Sequence, residues 1–496
     1  CRKDPGQASW DISVIAPIFN TTLNLNNILA DSLLQQNPDT SLKIVYASTL
    51  YNFAVDSIIE NLDTITKQLL NIPLNITVQP GQLLVNNSTN DNLDLGNALV
   101  SRINIKSGQL VISTSNPFTE KMLCTYKISC AKLYGIPFET TELVTEGSTA
   151  NPGIFAKRFD VSGYSIDLTG PGGNDANILS SVLEIWVNPA GNPMGITPQD
   201  SFHLYAGFEN IVIDYARGYF GSENIQSGLQ QTSFNLFQKI TSGSLSIEDV
   251  HMVLSVINGF GIDAHLLLNE LKSVNSLTGT SIGLISPIIN SYINLSRAQE
   301  TGNPANPVIP SIFSFNLDNS NIKQMIENLP DKLEYSLDIA TNPLGNVSSG
   351  NDFVYADNGF RADLDLEIPL SVIANNLTLT DTVSFNLDKS EDYNINQGML
   401  YLIADNGFPF SATMQIYLLD QSNTVTDSLI ILNKTIDAAP LDINYHVIAP
   451  LSTRIRIPLT PVKIQHLYDA SKMIIVARFN TAGSGQYVKI YSNYTL

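Results

Sequence analysis

The stretch from Gln397 to Asp420, QGMLYLIADNGFPFSATMQIYLLD, most constrains what this chain can fold into, because its pattern occurs more than once. Leu400, Leu402 and Ala404 share one parity up to Asn406, the pattern breaks at Gly407, and Met414, Ile416 and Leu418 resume it. Alternation with a period of two on either side of an Asn-Gly break predicts a strand, a tight corner and a second strand. Gly108, Leu110, Ile112 and Asn116-Pro-Phe118 repeat the order with the same eight-residue step from Gly to Asn. Gly243, Leu245, Ile247 and Asn258-Gly-Phe260 follow it more loosely, and Ala356-Asp-Asn-Gly-Phe360 duplicates Ala404-Asp-Asn-Gly-Phe408. The expected corners are therefore Asn116 with Phe118, Asn258 with Phe260, Asn358 with Phe360, and Asn406 with Gly407 and Phe408. Gly407 is expected at φ > 0, which glycine adopts without steric cost, and the phenylalanines are expected to turn inward as core plugs. The competing reading makes these corners exposed tips that present aromatic rings to a partner.

A chain of 496 residues exceeds one ordinary core and implies two or three domains. Hydrophobic residues at 43% with charged ones at 15% mark a globular chain. With 26 basic against 46 acidic residues the formal charge is -20, so phosphate backbones and bare anionic membranes are repelled and nucleic acid is not an expected partner. No apolar run reaches the roughly eighteen residues of a spanning helix.

The pattern predicts a mainly β chain, all-β to α+β, built of tandem antiparallel β-sandwich or barrel-like domains with a few covering helices. The expected division is a tether over 1–10, a β-rich domain over 11–200, a mixed region and linker over 201–310, and a C-terminal β-sandwich over 311–496. Apolar residues at helical spacing predict helices over 25–36, 56–70 and 284–296. Three prolines over 303–310 predict a stiff linker.

Tests for chemistry point away from catalysis and from any cofactor. Gly279-Thr-Ser-Ile-Gly283 has the spacing of a nucleophile elbow, but Leu271 to Thr278 before it is too polar for a buried strand, so Ser281 reads as a turn residue. His203, His251, His265, His446 and His466 have no second ligand at zinc spacing, and Asn90 to Gly96 fails the calcium-loop pattern. Asp363, Asp365 and Glu367 share one face of a strand, which reads as a solvated face, with cation or partner binding as the alternative. Cys124 and Cys130 share a parity on one strand, about 20 Å apart, and read as buried thiols.

Cys1, followed by the Pro- and Gly-containing Arg2 to Ser9, is expected to be left by removal of a preceding segment. This start resembles mature bacterial lipoproteins, and together with the Asn/Thr/Ile-rich strands and Asn-Gly-Phe corners it is similar to outer-membrane lipoproteins of Bacteroidota. The resemblance implies acyl chains on Cys1, a body held within about 26 Å of a bilayer by its tether, and location on the outer membrane, at its surface or periplasmic face. It also implies O-glycosylation at Asp-Ser/Thr-aliphatic triplets, here at Ser32, Ser57, Thr64, Thr382 and Ser428. A weaker resemblance links the repeated unit to small β-sandwich modules and tubular lipid-binding proteins. The expected role is a non-catalytic scaffold or accessory subunit of an outer-membrane complex for assembly, secretion or uptake. The alternatives are a carrier of an apolar ligand such as lipid, and a glycan-binding protein or glycan hydrolase.

Overall fold

The computed structural model describes residues 22, 33–53, 65–71, 75–387, 395, 397–483 and 485–496. Strands dominate, with helices at Ile322–Glu327 and Pro461–Asp469. Many strands bury every second side chain, as in Ile178–Val187 and Lys332–Thr341, so each sheet has a core face and a solvent face.

The strand pairing is one sandwich topology used three times. In chain order its strands are a to g, with sheet order a-f-c-d in one layer and e-b-g in the other. In repeat one these are Leu83–Asn92, Leu99–Asn116, Met122–Leu133, Ile136–Val144, Gly153–Asp160, Ile178–Val187 and Ser201–Tyr219. In repeat two they are Gln230–Ser233, His251–Asn258, Ala264–Asn275, a divided d of Thr280–Gly283 and Tyr292–Leu295, then Ser311–Asn316, Lys332–Thr341 and Phe360–Pro369. Repeat three has Ser371–Ser384, Gly398–Asn406, Phe410–Leu419, Val425–Ile436, Leu451–Leu459 and Lys472–Thr481 at positions a to f. Both helices lie between e and f, in repeats two and three.

Registers match as well. The Asn that ends b stands opposite the first residue of e in each repeat: Asn116 with Gly153, Asn258 with Ser311, Asn406 with Leu451. Strands b and c do not pair with each other directly, so the corner carries the chain from one layer to the other; in repeat one Ser165–Asp167 pairs with both b and c and joins the two layers into one ten-stranded sheet. The core runs continuously through repeats one and two, and repeat three adds separate clusters around Ala404, Ile455 and Ile457 and around Leu418 and Leu429.

Several expectations are corrected. Leu34–Gln36 and Ile65–Asn71 are strands, paired with Leu42–Phe53 and Ser201–Tyr219, where helices were expected; the remainder of those two segments lies outside the described residues. The 284–296 helix is a loop leading into the strand Tyr292–Leu295. In each case a nonlocal backbone partner outweighs a helical spacing of apolar residues. The 303–310 segment closes a small hairpin, Gln299–Glu300 against Val308–Ile309, between d and e of repeat two. Pairing also runs across the expected divisions at 200 and 310, since Phe360–Pro369 pairs with both His251–Asn258 and Leu42–Phe53.

Candidate interaction site

The corner begins with a buried amide. Asn406 Nδ2 donates to the carbonyls of Phe410 (2.8 Å) and Asp437 (2.9 Å), while its Oδ1 accepts from the Phe408 N–H at 2.9 Å. Asn258 does the same with Ile262 (2.9 Å), Ser296 (2.8 Å) and Phe260 (2.9 Å), and Asn116 with Glu120 (3.0 Å), Thr145 (2.8 Å) and Phe118 (3.0 Å). Each second carbonyl belongs to the residue just after d, and the residue two further on donates to the corner phenylalanine's carbonyl: Gly147 to Phe118, Ala298 to Phe260, Ala439 to Phe408. A primary amide supplies two donors and an acceptor at one point, so one buried side chain saturates three backbone groups where the chain changes layer.

Two corner expectations need correction. Asn358 precedes g and does not end b; it is half-buried and outside this pattern, while Phe360 packs on Phe260 with ring centroids 5.2 Å apart. Gly407 is absent from the positive-φ glycines of the described residues. It is needed for close approach instead: a Cβ there would lie 2.9 Å from the Thr495 carbonyl, to which the Gly407 N–H donates at 2.8 Å. Phe118, Phe260 and Phe360 are buried, whereas Phe408 is half-buried against Tyr494.

The repeats part company at position g. In repeats one and two b is flanked on both edges, by e and by g. In repeat three Gly398–Asn406 pairs with Leu451–Leu459 alone, and among the described residues its other edge has no strand beside it. Leu400, Leu402 and Ala404 face the core, and Met399, Tyr401 and Ile403 face out, exposed by 45%, 39% and 61%. The Arg454 guanidinium lies 4.1 Å from the Tyr401 ring centroid. Exposed edges are usually blunted by charge or proline. Leu451–Leu459 carries Arg454, Arg456 and Pro458, and Gly153–Asp160 carries Lys157 and Arg158. The open strand, of sequence GMLYLIADN, carries no cation and no proline, and its one charge is the exposed Asp405 at the corner end. A bare edge with apolar outward side chains can accept a further strand.

The other candidates are dispersed. Cys1, Ser32, Ser57 and Thr64 lie outside the described residues. Thr382 is exposed, whereas Ser428 is half-buried and its carbonyl accepts from Lys463 Nζ. Cys124 is buried and Cys130 half-buried, both unpaired; burial, and next the Glu142 charge, push the Cys124 thiol up to about 12. Ser281 sits on an exposed strand after the turn at Gly279, whose φ is +71°. The acidic row is in part paired: Lys43 with Glu367 at 2.7 Å, Arg361 with Asp363 at 2.7 Å, and Thr49 donating to Asp363 at 2.8 Å. His251 lies 3.0 Å from Asp318, whose hydrogen bond raises its pKa, and His466 lies 3.0 Å from Asp427. The void among Ile105, Leu110, Ile128, Phe138 and Phe208 has no room for a water, so it is core and not an acyl pocket.

Sequence reasoning missed the open edge, together with other buried amides that brace loops. Asn177 accepts from the Val100 N–H and donates to the Ala98 carbonyl, both at 2.7 Å. Asn342 donates to the Gly221 carbonyl and to Asp352, which Arg297 neutralises at 2.5 Å. The signal available was the same in each case, an Asn in an apolar neighbourhood close to a strand end.

No family model matches the chain, and no curated protein matches it. Among solved structures it is similar to a protein from Parabacteroides distasonis classed as secreted by inference (13% identity, 55% of this chain and 80% of that chain covered, TM-score 0.28). It is also similar to the naturally occurring empty particles of cowpea mosaic virus (10% identity, 66% and 92% covered, TM-score 0.18). Likenesses this distant assign no fold family. No helix of the described residues is long and apolar enough to cross a membrane.

Proposed function

We propose that this chain is a non-catalytic, lipid-anchored outer-membrane protein that acts as a scaffold or accessory subunit, docking to a protein complex through the open edge of its third sandwich. The observation that carries this reading is that, among the described residues, no strand stands at position g beside Gly398–Asn406, in a topology that is otherwise repeated with that position filled. A strand edge recognises another chain through backbone hydrogen bonds and alternate side chains, and such recognition requires no reactive group. The anchor rests on the resemblance of Cys1 and the Pro- and Gly-containing Arg2 to Ser9 to the start of mature bacterial lipoproteins.

The test begins from native membranes. The wild-type protein, extracted in mild detergent, should co-purify with a larger assembly, and Ile403→Lys, which puts a cation on the edge without touching the core face, should come out alone. Isolation of the wild type as a monomer in every detergent would defeat the reading. Fatty-acid labelling of the wild type but not of Cys1→Ser would support the anchor, and equal labelling would remove it.

A further inference from the structure

Apart from the docking edge, we infer that the outward face of strand g in repeat one is a sugar-binding platform, on which a carboxylate-bearing sugar ring stacks against Tyr205 and His203 with its carboxylate at Lys67. Ser201–Tyr219 runs between Leu99–Asn116 on one side and Ile65–Asn71 on the other, so its backbone is paired on both edges along 203–207. No further strand, of this chain or another, can add at this place, and recognition falls to side chains. Phe202, Leu204 and Ala206 are buried, which turns His203 and Tyr205 outward, and Tyr205 is 40% exposed. The pairing registers then fix their neighbours: Ser115 stands beside His203, and Ser113 and Lys67 stand on either side of Tyr205.

The two rings share one orientation. Their planes are parallel within 9°, with centroids 6.5 Å apart, so they form a single aromatic surface along the strand. Lys67 is exposed, and its Nζ lies over the Tyr205 ring at 5.8 Å from the centroid, a loose contact that leaves the ammonium able to reach a ligand held on the rings. Among the described residues Lys67 has no carboxylate in ion-pair range, and the Ser113 and Ser115 hydroxyls and the His203 ring have no hydrogen-bond partner. A sugar ring has an apolar C–H face and a rim of hydroxyls, so it requires a flat apolar surface edged by hydrogen-bonding groups. Two aromatic rings edged by two hydroxyls and an ammonium meet that requirement. A covering segment of protein would instead take the hydroxyls and the ammonium out of water without partners, which is costly. The unneutralised cation selects a carboxylate on the sugar. Further along the same face the charges are already engaged: Arg158 pairs with Glu209 at 3.1 Å, and Asp160 accepts from Ser162. The net charge of -20 keeps long polyanions away, so the ligand is a short acidic glycan and not a nucleic acid.

The probe is a galacturonate trisaccharide, set against the same trisaccharide with its carboxylates methyl-esterified and against a glutamate tripeptide. Each is titrated into the full chain and followed by calorimetry and by saturation transfer to the ligand protons. The free trisaccharide should bind about tenfold more tightly than its ester, with saturation strongest on the ring C–H protons. Tyr205→Ala should weaken both about tenfold or more, whereas Lys67→Gln should weaken only the free acid, so that acid and ester then bind equally. Melting temperatures matched to wild type show that both variants are folded. Ile403→Lys, at the open edge of repeat three, should leave sugar binding unchanged, which separates this site from the docking role. The inference is overturned if the trisaccharide does not bind, if Tyr205→Ala leaves its binding unchanged, if Ile403→Lys abolishes it, or if the tripeptide binds as well as the sugar.

Discussion

Removing the Asn258 side chain should cost far more than removing that of Asn358, although both sit in an Asn-Gly-Phe triplet. Asn258 is fully buried and makes three hydrogen bonds at 2.8 to 2.9 Å, to the Ile262 and Ser296 carbonyls and from the Phe260 N–H. Asn258→Ala leaves two carbonyls and one amide without those partners at the point where the chain crosses layers. A net contribution of about 1 kcal/mol per bond, plus the penalty for groups left dry, gives roughly 3 to 5 kcal/mol. For a sandwich of this size that is a fall in melting temperature of about 6 to 20 °C. Asn358 is half-buried and its triplet precedes a strand, so Asn358→Ala should change stability by no more than about 1 kcal/mol. Scanning calorimetry of wild type and both variants compares them directly. If the two variants melt together, or if Asn258→Ala loses less than about 1 kcal/mol, the buried amide does not hold the corner and the account of the repeat fails.

The corner phenylalanines should divide by depth: Phe260→Ala, at a fully buried site, should cost about 3 to 5 kcal/mol, and half-buried Phe408→Ala about 1 to 2, read from the same melts. Cys124, with its thiol pushed up to about 12 by burial, should resist iodoacetamide at pH 8 in the native protein and react completely in denaturant; prompt native labelling would contradict its burial. The Asp318 hydrogen bond, assisted by the Asp249 charge, raises His251 above its ordinary 6.5, so its contribution is fully present below about pH 6.5 and is lost as pH rises through the raised value. With the ring 45% exposed the effect is below about 1 kcal/mol, and His251→Gln should remove the difference in melting temperature between pH 5.5 and 8.5 that this pair adds.

What could be read in the sequence was whatever one strand records about itself. Alternation placed Gly398–Asn406 and Phe410–Leu419, and the Asn-x-Phe corners at 116, 258 and 406 were legible because each must hold an amide in an apolar setting. Asn358 misled because five identical residues in a row say nothing about whether they follow a strand or lead into one. Gly243, Leu245 and Ile247 misled similarly: they belong to Ile240–Ile247, a strand that pairs with Ser371–Ser384 and not with the corner strand. The helical spacing at Ile65–Asn71 lost to pairing with Ser201–Tyr219, a partner more than a hundred residues away that no local window contains. The open edge was invisible for the same reason, since a missing neighbour shows only once the other repeats reveal where it belongs.

The two outer segments of the described chain are clasped together. Leu42 donates to the Ile490 carbonyl at 2.8 Å and Ser492 to the Thr40 carbonyl at 3.1 Å, with Ser41 facing Tyr491 in an antiparallel bridge. Before Thr40 the chain turns back through Asn37, so that Leu34–Gln36 runs antiparallel along Leu42–Ile44, and Leu42–Phe53 in turn pairs with Phe360–Pro369 of repeat two. On the other side of the clasp the residues after Ser492 hold Thr495 against Gly407. Backbone hydrogen bonds therefore link the sheet of repeat two, through the clasp, to the corner of the open strand, and the two are fastened by more than side-chain packing.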